Sequence, residues 1–203
     1  MNTKDTEEST HAKAAASESG AAKKHHHRGK SSESLLDKAA ILKALNIQPG
    51  QTIVDAGCGN GYMSKAFSRA LSGTGTVYAL DPDEEAIATL ADETEGTNIR
   101  AMVGGITTTA PLEDSSADLV YLATVLHGFS PKEIEGFQKE VRRILKPQAM
   151  LAIVEIDKRS TPYGPPMDFR FSPEELQQAI PLTPSHLVRA GEYFYMQVFD
   201  NRP

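Results

Sequence analysis

The residues best suited to chemistry stand close together in Asp55-Ala56-Gly57-Cys58-Gly59-Asn60-Gly61, with Asp81 twenty positions after Gly61 and His127 beyond it. An apolar run, Thr52-Ile53-Val54, leads into the three glycines, and Met63, Ala66, Phe67, Ala70 and Leu71 then recur at helical spacing. Strand, glycine loop and helix together make a ligand-binding geometry. Glycines at alternate positions remove the Cβ atoms that would hold a ligand off the backbone, and they allow the positive φ of a tight turn. The helix start offers N–H groups and a positive dipole end to an anionic group. A nucleotide-type cofactor follows from these features.

The elements that must position these residues are legible from pattern. Leu35, Ala39, Leu42 and Leu45 predict a lead helix from Ser34 to Asn46, closed by Pro49-Gly50. Thr76–Asp81 reads as a second strand, and Asp81-Pro82-Asp83-Glu84 as an N-cap, a proline at N1 and an acidic N3 for the next helix. An acid at the carboxyl end of a strand also lies on the ligand side of such a sheet, so Asp81 is suited to both roles. Asn98–Val103 and Asp118–Ala123 read as strands three and four. Ser130-Pro131-Lys132-Glu133 is a capping box opening a helix whose apolar stripe is Ile134, Phe137, Val141, Ile144 and Leu145, with Lys146-Pro147 as its end. Met150–Ile156 reads as a fifth strand, with Glu155 and Asp157 near its end either reaching the substrate pocket or, the preferred reading, standing as solvated charges. Ser172-Pro173-Glu174-Glu175 caps a further helix, and 185–190 with 194–199 form a terminal hairpin around Gly191-Glu192.

The glycine spacing discriminates between cofactors. A dinucleotide fingerprint would place its third glycine at position 62, where this chain has Tyr62. What stands instead is D-x-G-x-G-x-G, and with it the sequence resembles the class I S-adenosylmethionine-dependent methyltransferases. The loop 161–166, with its Gly-Pro-Pro core, resembles a small-molecule branch near the ubiquinone and menaquinone biosynthesis type. The resemblance implies an α/β fold, a Rossmann-like doubly wound sheet of seven strands with a C-terminal antiparallel hairpin. It implies S-adenosyl-L-methionine held by Asp55, Gly57, Cys58, Gly59, Asn60 and Gly61 at its amino-acid end and by Asp81 at its ribose. Gly105 and Ile106 follow strand three where the family usually has an adenine-binding acid at the position of Gly105, so adenine contact is expected through backbone groups. Ala123 is expected to line the cofactor. His127 is placed to deprotonate a substrate nucleophile or to hold its loop.

Composition bounds the rest. With 203 residues, a formal charge of -6 and one cysteine, the chain has no basic field for nucleic acid and no disulfide framework. No apolar run is long enough for a membrane span and no signal-type apolar segment opens the chain, so a cytoplasmic setting is expected. Residues 1–33 read as a disordered arm containing His25-His26-His27, and 34–203 as the S-adenosylmethionine-binding domain. The expected function is methyl transfer to a small molecule with no metal required. The alternatives are a binding or partner protein that keeps the pocket without transfer, and a metal carrier using the histidine arm.

Overall fold

The computed structural model describes residues 32–202, and the His25–His27 cluster lies outside them. Seven strands, β1 (Thr52–Ala56), β2 (Thr76–Asp81), β3 (Ile99–Val103), β4 (Ala117–Ala123), β5 (Leu145–Ile156), β6 (Thr183–Arg189) and β7 (Phe194–Asp200), form one sheet in the order β3-β2-β1-β4-β5-β7-β6. The first five are parallel, and β7 runs antiparallel to both β5 and β6. The chain leaves β1 outward through β2 to β3, then returns to place β4 on the other side of β1. A crevice opens at such a reversal, outside the carboxyl ends of β1 and β4.

Helices cover both faces because the central strands are apolar on both. Ile53, Val77, Leu119 and Tyr121 face one core with Phe67 and Leu71, against α1 (Lys38–Leu45), α2 (Tyr62–Ala70) and α3 (Glu84–Glu93). Val54, Leu80, Val120 and Leu151 face the other, with Phe137, Val141 and Ile144 of α4 (Pro131–Ile144) and Leu176 of α5 (Pro173–Ala179). These are near-continuous hydrophobic strands, the pattern of a sheet buried on both sides. The capping box at Ser130 and Glu133 is formed, as is a second at Ser172 and Glu175.

The structure corrects the sequence reading of these elements in four places. The lead helix starts at Lys38, because Asp37 accepts from Ala40 N–H at 3.0 Å, and Leu35 falls in a separate 3-10 turn, Glu33–Leu35. Ser32 and Glu33, read as part of the arm, belong to this ordered segment, which Asp37 N–H ties to Ala190 O at 2.7 Å. The fifth strand begins at Leu145, before Lys146-Pro147, since Leu145 already pairs with Ala117 before the register shifts. Gln148 takes φ 66° there and donates its N–H to Asn201 O. The cap of α3 is Asp83, which accepts from Glu85 and Ala86 N–H at 3.1 Å; Asp81 is left for other work.

Candidate active site

The glycine loop is stitched to the end of β2. Gly57 and Cys58 donate their N–H groups to Leu80 O at 2.7 and 3.0 Å, and Gly59 donates to Asp81 Oδ2 at 2.9 Å. Asp81 Oδ1 accepts from Asp83 N–H at 2.9 Å, so this buried carboxylate bridges the loop to the start of α3. Sequence reasoning missed that bridge because it joins positions 22 residues apart. Gly57 sits at φ 70°, and a Cβ there would lie 2.6 Å from Val125 Cγ2, so only glycine lets the loop pass the end of β4. Gly61 is the left-handed N-cap of α2 and packs against Leu90.

Two cavities flank the Gly57–Val125 contact and share Gly57, Thr124 and Val125 as a common wall. The first, of about 380 Å³, takes in Asp55, Cys58, Gly59, Asn60 and Ala123, with Tyr121 on the same wall. The second, of about 360 Å³, takes in Asp81, Gly105, Ile106 and His127, with Phe129 beside them. The fold thus gathers ten of the eleven sequence-named site residues into one crevice; Gly61 alone faces away, into helix packing. At Gly105 an added Cβ would meet nothing closer than Thr107 Oγ1 at 3.9 Å, so the position of the usual acid is open space. Ile106 is buried in the core and reaches the wall from there.

Thr124 on the shared wall has φ 57°, costly for a β-branched residue. Its N–H donates to Val154 O at 2.8 Å, and its hydroxyl lies 3.2 Å from Ser32 Oγ. Ser32, Glu33 and Leu36 close the first cavity from before the first strand, contacts that no local sequence signal announced.

The electrostatics differ between the cavities. Asp55 is buried beneath the first and accepts from Ser64 Oγ at 2.5 Å; burial pushes its carboxyl up to about 6, against the lowering effect of Ser64. Directly across the β1–β4 pairing stands Tyr121, whose buried hydroxyl has no hydrogen-bond partner among the described residues. Burial, then the charges of Asp55 and Asp81, push the Cys58 thiol up, so it is an inert neutral group.

Beside the second cavity, Glu155 overturns its reading as a solvated charge: it is fully buried, with Oε2 2.8 Å from His127 Nδ1 and Oε1 accepting His127 N–H at 3.3 Å. A lone charge in the apolar run Met150–Ile156 was the available signal. Asp157 is also engaged rather than solvated. Burial alone would raise its carboxyl, but hydrogen bonds from Arg189 and Arg159 outweigh that and hold it below the usual range. Among the described residues no three His, Cys, Asp or Glu side chains group to hold a metal, and no helix is long and apolar enough to cross a membrane.

Comparison with known proteins agrees with this geometry. A family model described as a methyltransferase domain matches residues 53–148. Demethylmenaquinone methyltransferase of Staphylococcus aureus is 27% identical over 125 residues, 60% of this chain and 50% of the relative. A 37.1 kDa transposon protein of Streptomyces fradiae is 32% identical over 59% of this chain and 34% of its own length. The chain therefore spans half or less of the length of these curated relatives. Among solved structures, a SAM-dependent methyltransferase from Aquifex aeolicus superposes with a TM-score of 0.74 at 25% identity, covering 83% of this chain and 92% of the other. A TehB-like methyltransferase from Corynebacterium glutamicum, at 22% identity and a TM-score of 0.60 over 80% and 86%, shares the fold. The chain has the class I S-adenosylmethionine-dependent methyltransferase fold, with S-adenosylmethionine as its cofactor and a resemblance to the quinone-biosynthesis type.

Proposed function

We propose that the protein transfers the methyl group of S-adenosylmethionine to a small molecule, with the cofactor lying along both cavities. The observation that carries this is the pair of carboxylates, Asp55 under one cavity and Asp81 on the wall of the other, with the Gly57 backbone between them. The cofactor has hydrogen-bond donors at two separated points, its ammonium and its ribose hydroxyls, and each meets one acid. The loop of Gly57, Cys58, Gly59 and Asn60 leaves room that side chains would fill, so the residues present fit the group.

When bound, S-adenosylmethionine supplies an electrophilic methyl group on a sulfonium, transferred in line without a covalent enzyme intermediate. Asp55 receives the ammonium and is thereby drawn into its ionised form. Asp81, held by Gly59 and Asp83 N–H groups on the wall of the second cavity, accepts from the ribose. The open face at Gly105 and the backbone of Ile106 meet adenine, and Ala123 packs against the cofactor at the end of β4. Gly61 acts indirectly, by setting the start of α2. His127 is the side chain positioned to take a proton. Holding two reactants in register supplies a large share of such a reaction's acceleration. A cytoplasmic location and the absence of nucleic-acid partners belong to this same reading.

No specific observation favours a pocket that binds without transfer. Calorimetry with S-adenosylmethionine, S-adenosylhomocysteine and NAD tests the proposal: binding of the first two is expected, and binding of NAD alone would sink it.

A further inference from the structure

Glu155 lies one residue from the end of β5, fully buried in a strand whose other members from Met150 to Ile156 are apolar. A carboxylate taken out of water is costly unless its oxygens are hydrogen-bonded. Both of its oxygens are committed to one residue, His127, through the backbone N–H at 3.3 Å and the ring Nδ1 at 2.8 Å. Tyr195, its pairing partner on β7, turns its hydroxyl elsewhere, to Phe171 O at 2.8 Å. His127 stands in the turn after β4, partly exposed and on the wall of the second cavity.

Chemistry then fixes the ring. With Nδ1–H donated to a carboxylate, a neutral imidazole keeps its lone pair at Nε2, on the side away from Glu155. A carboxylate in that place also compensates the positive charge the ring acquires on taking a second proton, the arrangement by which an acid orients a histidine base. A histidine needed only to hold its loop requires neither a defined tautomer nor a buried countercharge.

We propose that Glu155 is a positioning residue that presents His127 Nε2 as a proton acceptor, and that the methyl acceptor is a weakly acidic O–H nucleophile of the phenol or enol kind. This rests on the methyl-transfer reading. As the acceptor O–H bond breaks, its proton goes to Nε2. The oxygen forms the new bond to the methyl carbon while the carbon–sulfur bond breaks, its electron pair remaining on sulfur as a neutral thioether. The ring ends as imidazolium beside Glu155. Phenols and enols, already weak acids, give up the proton to such a base more readily than an aliphatic alcohol does, and a thioether or tertiary amine has no proton to give.

Two measurements test this. Long-range proton–nitrogen correlation of the His127 ring in the full chain with S-adenosylhomocysteine should show the Nδ1–H tautomer; an Nε2–H ring overturns the proposal without need of any variant. Transfer of labelled methyl is then followed to catechol, protonated at neutral pH, and to pentafluorophenol, ionised there. Glu155→Ala should lower transfer to catechol by roughly 10- to 100-fold and leave transfer to pentafluorophenol within about threefold, because an ionised acceptor needs no base. Glu155→Gln, which keeps an acceptor oxygen without the charge, should fall between. Equal losses on both phenols would make the pair structural, and no labelled product from either would remove the acceptor class. Failure of the wild-type chain to bind S-adenosylhomocysteine would instead bring down the transfer reading itself.

Discussion

The two cavities each present one aspartate at the end of a neighbouring strand, yet the protein treats the two acids differently. Asp81 is satisfied from within: Gly59 and Asp83 N–H groups reach its two oxygens at 2.9 Å, and the loop and α3 are set by them. Asp55 has Ser64 and a hydrophobic setting, and its carboxyl rises to about 6. Tyr121 opposite it has a hydroxyl with no partner among the described residues. One cavity is built with its acid already serving the fold, while the other holds a raised carboxyl and an unpartnered hydroxyl whose needs a cationic ligand would meet. Preorganisation and ligand dependence are thus divided between the two ends of one crevice.

Removing the satisfied acid should have the largest effect. Asp81→Ala cuts two charge-assisted hydrogen bonds inside the protein, each worth roughly 1.5–3 kcal/mol. Chemical denaturation should show a loss of several kcal/mol together with loss of S-adenosylhomocysteine binding. Asp81→Asn keeps one acceptor oxygen and should lose less of both. Because Asp83 is the cap, retention of full stability in the Ala variant would break the contrast.

Next comes the wall between the cavities. Gly57→Ala places a Cβ against Val125 in a backbone at φ 70°, a strain of about 1–3 kcal/mol. Val125→Ala in the same chain relieves the collision but not the backbone. Partial recovery of cofactor affinity in the double variant, measured by calorimetry, is therefore expected; full recovery would mean that the φ value is tolerated by alanine.

Asp55 sharpens the comparison through pH. Its folded pKa of about 6 lies above the ordinary 3.8, so its stabilising contribution is fully present below the lower value and is lost as pH rises through about 6. The ligand-free protein should gain melting temperature from this group on acidification. Affinity for S-adenosylhomocysteine should move the opposite way, falling up to about tenfold per pH unit below 6, because a neutral carboxyl no longer attracts the ammonium. Asp55→Asn should flatten both trends. Parallel trends in the wild type would refute the assignment.

The smallest effect lies outside the site. Gln148→Gly replaces a residue at φ 66° with one that adopts the left-handed region freely, offset by glycine's larger unfolded-state entropy. A stabilisation of about 0–1 kcal/mol in thermal melts, with cofactor affinity unchanged, is expected.

The sequence by itself determined the β–glycine–α unit, the seven strands with their terminal hairpin and the capping boxes, because hydrophobic period, glycine and cap residues act over a few neighbouring positions. It also marked Asp55, Asp81 and His127, each a polar side chain at the end of an apolar run. Only the tertiary structure decided which of these acids the fold itself uses. Asp81 is claimed by Gly59 across 22 positions, Glu155 by His127 across 28, and Asp55 is left beneath a cavity opposite Tyr121. Those outcomes depend on strand order and parallel register, which bring residues distant in the chain to hydrogen-bonding distance. Whether a carboxylate is solvated, paired or raised in pKa follows from that packing and is invisible to local pattern.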